Sequence, residues 1–210
     1  MGHYIQATGK VLGFIAFFAG WQVLGYALSL TLTSDMITLT AVSLAITTVA
    51  VLGLSKYLYE HTFWQLFSYR LSVPTVAKTF GLWLIFVLVS ELAGHYWQQT
   101  PMDFMQDIAL DNRSWVLWLA VVVLAPICEE LVFRQLIFET LAKFGQVVAV
   151  LGSSLLFAGV HWQYNWFGVS LVFMLALILC YAKIKTRALT LPIAVHMLNN
   201  AVALALYAPS

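Results

Sequence analysis

Glu129 and Glu130 stand side by side, with Arg134 four residues on, inside a segment otherwise apolar enough to lie in a bilayer. A charged side chain at mid-bilayer costs roughly 2.5 to 3.5 kcal/mol on insertion scales, so carboxylates kept there point to a function. Two histidines, His161 and His196, occupy apolar segments further along, and Asn200 follows His196 by one helical turn. A sheltered carboxylate suits a general base that later returns its proton. An imidazole beside a carboxamide offers hydrogen bonds to a developing oxyanion.

Helical spacing separates the two glutamates. Glu130 and Arg134 share a face and pair, which lowers the cost of holding each charge at depth. Glu129 is turned about 100° away, has no arginine at the matching offset, and needs a partner from another helix. It is the better candidate for chemistry, while Glu130 and Arg134 support it. Pro126 removes a backbone donor three residues upstream, so the helix is expected to kink just before Glu129. His196 and Asn200 share a face, Asn199 points elsewhere, and Pro192 again lies upstream. Each feature also has a plainer reading. Glu130 and Arg134 can mark a helix end, His161 beside Trp162 can be interfacial, and His196 with Asn200 can be polar glue between helices. Glu91 and His95 read as an interfacial pair, and Asp103, Asp107 and Asp111 as a solvated helical face.

The elements that must position these groups are membrane helices. Of 210 residues, 62% are hydrophobic and only 9% charged, with mean hydropathy +0.89, whereas a soluble domain carries about 25% charged residues. The expected fold is an all-α polytopic membrane bundle of about seven transmembrane helices. It forms a single domain, 1–210, with a catalytic core over 115–200. Runs of about 20 apolar residues mark the spans: Val11 to Leu32, Met36 to Leu54, Val76 to Tyr96, Trp115 to about Phe138, Gln146 to about His161, Phe167 to Ala182 and Ala188 to Tyr207. A further interfacial helix fits Tyr57 to Tyr69. The first run has no A-x-A-like cleavage site and reads as a retained span. Lys and Arg concentrate in alternate connections, which places the N-terminus in the cytoplasm and the C-terminus outside, in the plasma membrane. A formal charge of +1 leaves no basic face for nucleic acid. Cys128 and Cys180 make neither a disulfide framework nor a zinc pattern.

Taken together, Glu129-Glu130 with Arg134, Phe157 with His161, and His196 with Asn200 resemble the E-E-x-x-x-R, F-x-x-x-H and H-x-x-x-N/D motifs of the CPBP family. These membrane endopeptidases include type II CAAX prenyl proteases and Abi or bacteriocin-processing proteins. The resemblance covers about Trp115 to Asn200. It implies hydrolysis of a peptide bond in or beside the bilayer, with Glu129 and His161 activating water, His196 and Asn200 holding the oxyanion, and Glu130 and Arg134 orienting the first glutamate's helix. The implied partners are the lipid bilayer and a peptide or membrane-protein substrate, prenylated or not. No cofactor is required on the preferred mechanism. The H-E-x-x-H helix of many zinc sites is absent, yet Glu129, His161 and His196 can supply three ligands, so a divalent metal such as zinc stays open. Two other readings stay open: a non-proteolytic adaptor or immunity protein with a structural polar cluster, and a small transporter using Glu129 and His161 as a proton relay. The polar cavity is expected to open toward the cytoplasm. His161 lies far along its helix, so its depth matches that of Glu129 only if the fourth helix runs on to about Lys143 or the helices tilt or break.

Overall fold

Apolar runs of this length must satisfy their backbone groups internally, and the chain does so by winding into helices. The computed structural model describes residues 9, 12, 13, 16, 36–59, 66, 67, 71–97 and 115–207. Among them no strand occurs. The helices used below are α1, Met36–Tyr59; α2, Val73–Trp97; α3, Trp115–Phe144; α4, Gln146–Gly159; α5, Trp166–Thr186; and α6, Thr190–Tyr207. Within α1, α2, α3 and α5 lie stretches long and apolar enough to cross a membrane, whereas α4 and α6 are shorter apolar helices. The expected count of seven spans thus meets four full-length candidates and two short ones among the described residues. The first expected span and the Tyr57 to Tyr69 helix fall largely outside those residues, as do Asp103, Asp107 and Asp111.

Local sequence sets the ends. Ser72 caps α2, its hydroxyl accepting from Thr75 N at 3.3 Å, with Pro74 in the first turn where no N–H is needed. Asn165 caps α5 by accepting from Gly168 N at 2.8 Å. Gly145, at φ +118, separates α3 from α4 in a conformation that favours glycine.

The register of packing aligns α1 with α3. Ile37 and Ala41 meet Leu117, Ala120 and Leu204, while Val51 lies with Leu131, Leu136 and Ile193. On the other side, Trp83 of α2 packs among Leu179, Leu191 and Val195. Gly152 permits close approach of α3 to α4, since a Cβ there would stand 2.7 Å from Leu141 Cδ1; no described residue comes within 4 Å of one at Gly159. Outward stripes such as Leu84, Leu88 and Leu92, or Val147, Leu151 and Leu155, are exposed and apolar, as a lipid-facing surface requires.

The bundle has two chemically different ends. Lys183 Nζ lies 3.2 Å from Glu139 Oε1, and Lys78 stands over the Tyr181 ring. These contacts gather the last turns of α3 and α5 and the first of α2, with Lys143 and Lys185, at one end. At the other, Trp97 packs on Trp166 at 6.4 Å and on Phe167 at 5.9 Å, with Trp115 and Trp162 exposed. The sequence ends the fourth span near Phe138, but α3 continues to Phe144. That extra length lets Glu129, near the midpoint of α3, sit at the level of α6 and of the end of α4.

Candidate active site

The site begins with an irregularity in α3. Residues Leu119–Leu124 form a π-helical turn, and Ala125 N–H bonds to Ala120 O instead of Val121 O. In that shifted ladder the next donor would be residue 126, which is proline and has none. Val121 O therefore lacks a donor from its own helix, and Asn200 Nδ2 of α6 supplies one at 2.9 Å. The helix is irregular at this widened turn just before Pro126, and the Asn200 bond across it ties α6 to α3. Asn200, expected to face an oxyanion, spends one of its two amide hydrogens on the backbone; the second remains for other work.

Below the π turn, Glu130 and Arg134 are both fully buried, with Oε1 3.1 Å from Nη1. Arg134 Nη2 also donates to Ala176 O at 3.4 Å, and its guanidinium lies 4.4 Å above the Phe157 ring, a favourable cation–π position in a desolvated place. A second π-helical stretch, Leu131–Ile137, carries Arg134 and keeps all seven of its residues buried.

His196 joins the two glutamates. Its Nδ1 lies 2.9 Å from Glu130 Oε1, and its Nε2 lies 3.6 Å from Glu129 Oε2. Glu130, ion-paired to Arg134, is acceptor only, so Nδ1 is the protonated nitrogen and Nε2 faces Glu129; the tautomer follows from the partners. Glu129 is partly open, its side chain 23% exposed, while His196 is buried. The partner that Glu129 needs from another helix is thus His196. Among the described residues no hydrogen bond or ion pair joins Glu129 to His161.

His161 is set by the end of α4. The last turn tightens, His161 N bonding to Ala158 O, which frees the Phe157 carbonyl. The His161 ring takes it, Nδ1 standing 2.8 Å from Phe157 O. A carbonyl only accepts, so Nδ1 is the donor and the lone pair of the neutral ring lies on Nε2. Phe157, 1% exposed, is the hub of the cluster. Its ring centroid is 4.9 Å from that of His161 and 5.6 Å from that of His196, and it stacks edge-on with Phe133 at 5.0 Å. Both imidazoles and the guanidinium therefore surround one aromatic side chain.

Tyr164 completes the rim, and nothing in the sequence singles it out from its aromatic neighbours. Its ring lies 5.5 Å from His161. Burial pushes the phenol up to about 12, with the Glu129 carboxylate adding to the shift, so the hydroxyl keeps its proton and can donate. Tyr164 also lines a narrow groove with Phe86, Glu91 and Asn199 between α2, α5 and α6. Asn199 does point away from the cluster, accepting from Trp83 Nε1 at 3.3 Å. Glu91 and His95 are both exposed near the tryptophan-rich end of α2.

Both nitrogens of His196 face carboxylates, Nδ1 of His161 is on a carbonyl, and among the described residues no group of three or more His, Cys, Asp or Glu is arranged to hold an ion. A catalytic zinc needs about three such ligands converging on one point. No step below passes through a metal.

The sequence opens the cavity on the lysine-rich side. In the structure α4 starts beside Lys143 and runs away from it, so the loop of His161 and Tyr164 stands at the tryptophan-rich end. Residues 111–202 match the family model described as type II CAAX prenyl endopeptidase Rce1-like. No curated protein and no solved structure matches the chain.

Proposed function

We propose, from the match of residues 111–202 to the Rce1-like type II CAAX prenyl endopeptidase model, that the chain is an intramembrane endopeptidase of the CPBP/CAAX type in which Glu129 activates water against a peptide carbonyl. The observation that carries this reading is the pairing of one imidazole with two adjacent carboxylates. Glu130, neutralised by Arg134, holds His196 through Nδ1, and the other side of the ring is presented to the partly open Glu129. A carboxylate so placed takes a proton from water as the oxygen attacks the carbonyl carbon. The same proton then passes to the amide nitrogen as the C–N bond breaks, leaving a carboxylic acid and an amine. His161 Nε2 lies across Phe157 and orients the water, while the free amide hydrogen of Asn200 and the Tyr164 hydroxyl offer donors to the oxyanion. The mechanism needs no metal.

The substrate class is a peptide or membrane protein whose scissile bond reaches mid-bilayer depth, with prenylated CAAX-type peptides and leader peptides the first to try. The lysine-rich end faces the cytoplasm on this reading, since Lys and Arg favour that side. That orientation leaves the end of α6 outside, and it makes the His161 loop the external rim of the site.

The test is cleavage by the purified protein in lipid nanodiscs, read by mass spectrometry of new peptide termini. Wild type should generate them, whereas Glu129→Ala and His161→Ala should insert normally and generate none. Undiminished cleavage by either variant would reject the catalytic assignment.

A further inference from the structure

At the lysine-rich end, away from the catalytic cluster, a cavity of about 340 Å³ is lined by Leu66, Gln135, Phe138, Glu139, Lys183 and Arg187. Its polar lining is two cations, one amide and one carboxylate. Lys183 is buried, and its ammonium meets Gln135 Oε1 at 3.3 Å and Glu139 Oε1 at 3.2 Å, leaving a third hydrogen. Because the Gln135 oxygen faces that ammonium, its amide nitrogen is turned elsewhere. This nitrogen is completely buried, and among the described residues it has no hydrogen-bond partner. A buried donor left unpaired costs roughly 1 to 3 kcal/mol, and Gln135 is among the residues that line the cavity. Arg187 stands at the rim in the left-handed conformation, φ 54, its own N–H closing α5 on Lys183 O at 2.8 Å. Its side chain is exposed and carries no ion pair among the described residues. Two cations face one carboxylate, and that carboxylate is already engaged by Lys183.

We infer that this cavity is a phosphate-binding site, taking the phosphodiester of an anionic phospholipid headgroup or free inorganic phosphate. A phosphoryl group brings several acceptor oxygens to the Lys183 ammonium and the Arg187 guanidinium fork, and charge-assisted bonds of this kind are the strong ones. The cavity lies at the last turns of α5, beside Lys78 and Lys185 on the Tyr181 ring, and lysines of this kind favour the level of anionic headgroups. Basic pockets between helices at this level suit anionic headgroups.

The experiment titrates the detergent-purified full chain with short-chain phosphatidylglycerol, with phosphatidylcholine and with inorganic phosphate, counting bound molecules by native mass spectrometry. Phosphatidylglycerol should bind well above phosphatidylcholine, and Arg187→Ala should weaken it by roughly ten-fold. Lys185→Ala removes an equal charge outside the cavity and should change binding far less. Gln135→Leu, which leaves every charge in place, should also weaken binding. Saturable phosphate binding with the same Arg187 dependence, in the absence of lipid binding, would support the site and assign it to the free anion. Equal binding of the two lipids without phosphate binding, or equal losses in Arg187→Ala and Lys185→Ala, would overturn the proposal.

Discussion

Helix α3 carries two polar clusters that solve the same problem differently. Around Glu130, at mid-depth, the charges are enclosed: Arg134 and Glu130 have no exposure, and His196, Phe157 and the Ala176 carbonyl close over them. Around Glu139, two turns further on, the carboxylate is about one-third exposed and it is the lysine that is buried. The inner cluster pairs its carboxylate and guanidinium internally and directs His196 Nε2 at a partly open carboxylate. The outer one leaves donors facing an accessible cavity. Charges at depth are held by partners that the chain itself supplies, whereas charges near the interface can leave room for an external one.

Breaking the inner pair should have the largest effect. Arg134→Met strands Glu130 in an apolar interior and is expected to cost roughly 3 to 5 kcal/mol, read as a drop in melting temperature or loss of folded protein. Tyr164→Phe keeps the packing but removes the donor, and turnover should fall about ten-fold, as expected for a hydrogen bond to developing charge. Because the phenol is pushed up to about 12, its contribution is present while protonated and is lost only as pH rises through that value. The ratio of wild-type to Tyr164→Phe rates should therefore stay constant through pH 10, where an ordinary phenol would already be losing its proton. Asn200→Ala uncovers the Val121 carbonyl and is expected to cost about 1 kcal/mol. Pro126→Ala restores a backbone N–H, so in that background the same substitution should cost less, and a double-mutant cycle would show coupling. Last, Glu139→Gln keeps an acceptor for the buried Lys183 ammonium and should shift stability by no more than about 1 kcal/mol, because the carboxylate it replaces is about one-third exposed.

Several of these contacts are legible in the chain itself. The Glu130 to Arg134 spacing gives a shared face, the cost of charge in lipid picks out Glu129 and His196, and the need of Glu129 for a partner on another helix is plain. Which helix supplies it is not. That depends on the rotation of α3, and two π-helical stretches reset that rotation in a way no local propensity signals. The same irregularity explains Asn200: its partner is a carbonyl orphaned by Pro126 and the shifted ladder together. The depth mismatch between His161 and Glu129 disappears once α3 extends to Phe144, a continuation masked in the sequence by the polar residues Glu139 and Lys143. Tyr164 carries no signal of its own in the sequence, because a tyrosine among tryptophans at a helix end ordinarily anchors the chain at the interface. Gln135 was hidden for the opposite reason, as a single amide inside an apolar run.

The central claim is that adjacent glutamates have opposite duties, Glu129 reacting and Glu130 holding. Turnover and melting temperature of Glu129→Gln and Glu130→Gln, prepared in the same nanodiscs, test it most directly. Glu129→Gln should melt like wild type and lose at least a hundred-fold in turnover, the scale of a missing general base, while Glu130→Gln should lose stability first. A folded Glu129→Gln protein that cleaves substrate at the wild-type rate would contradict the account.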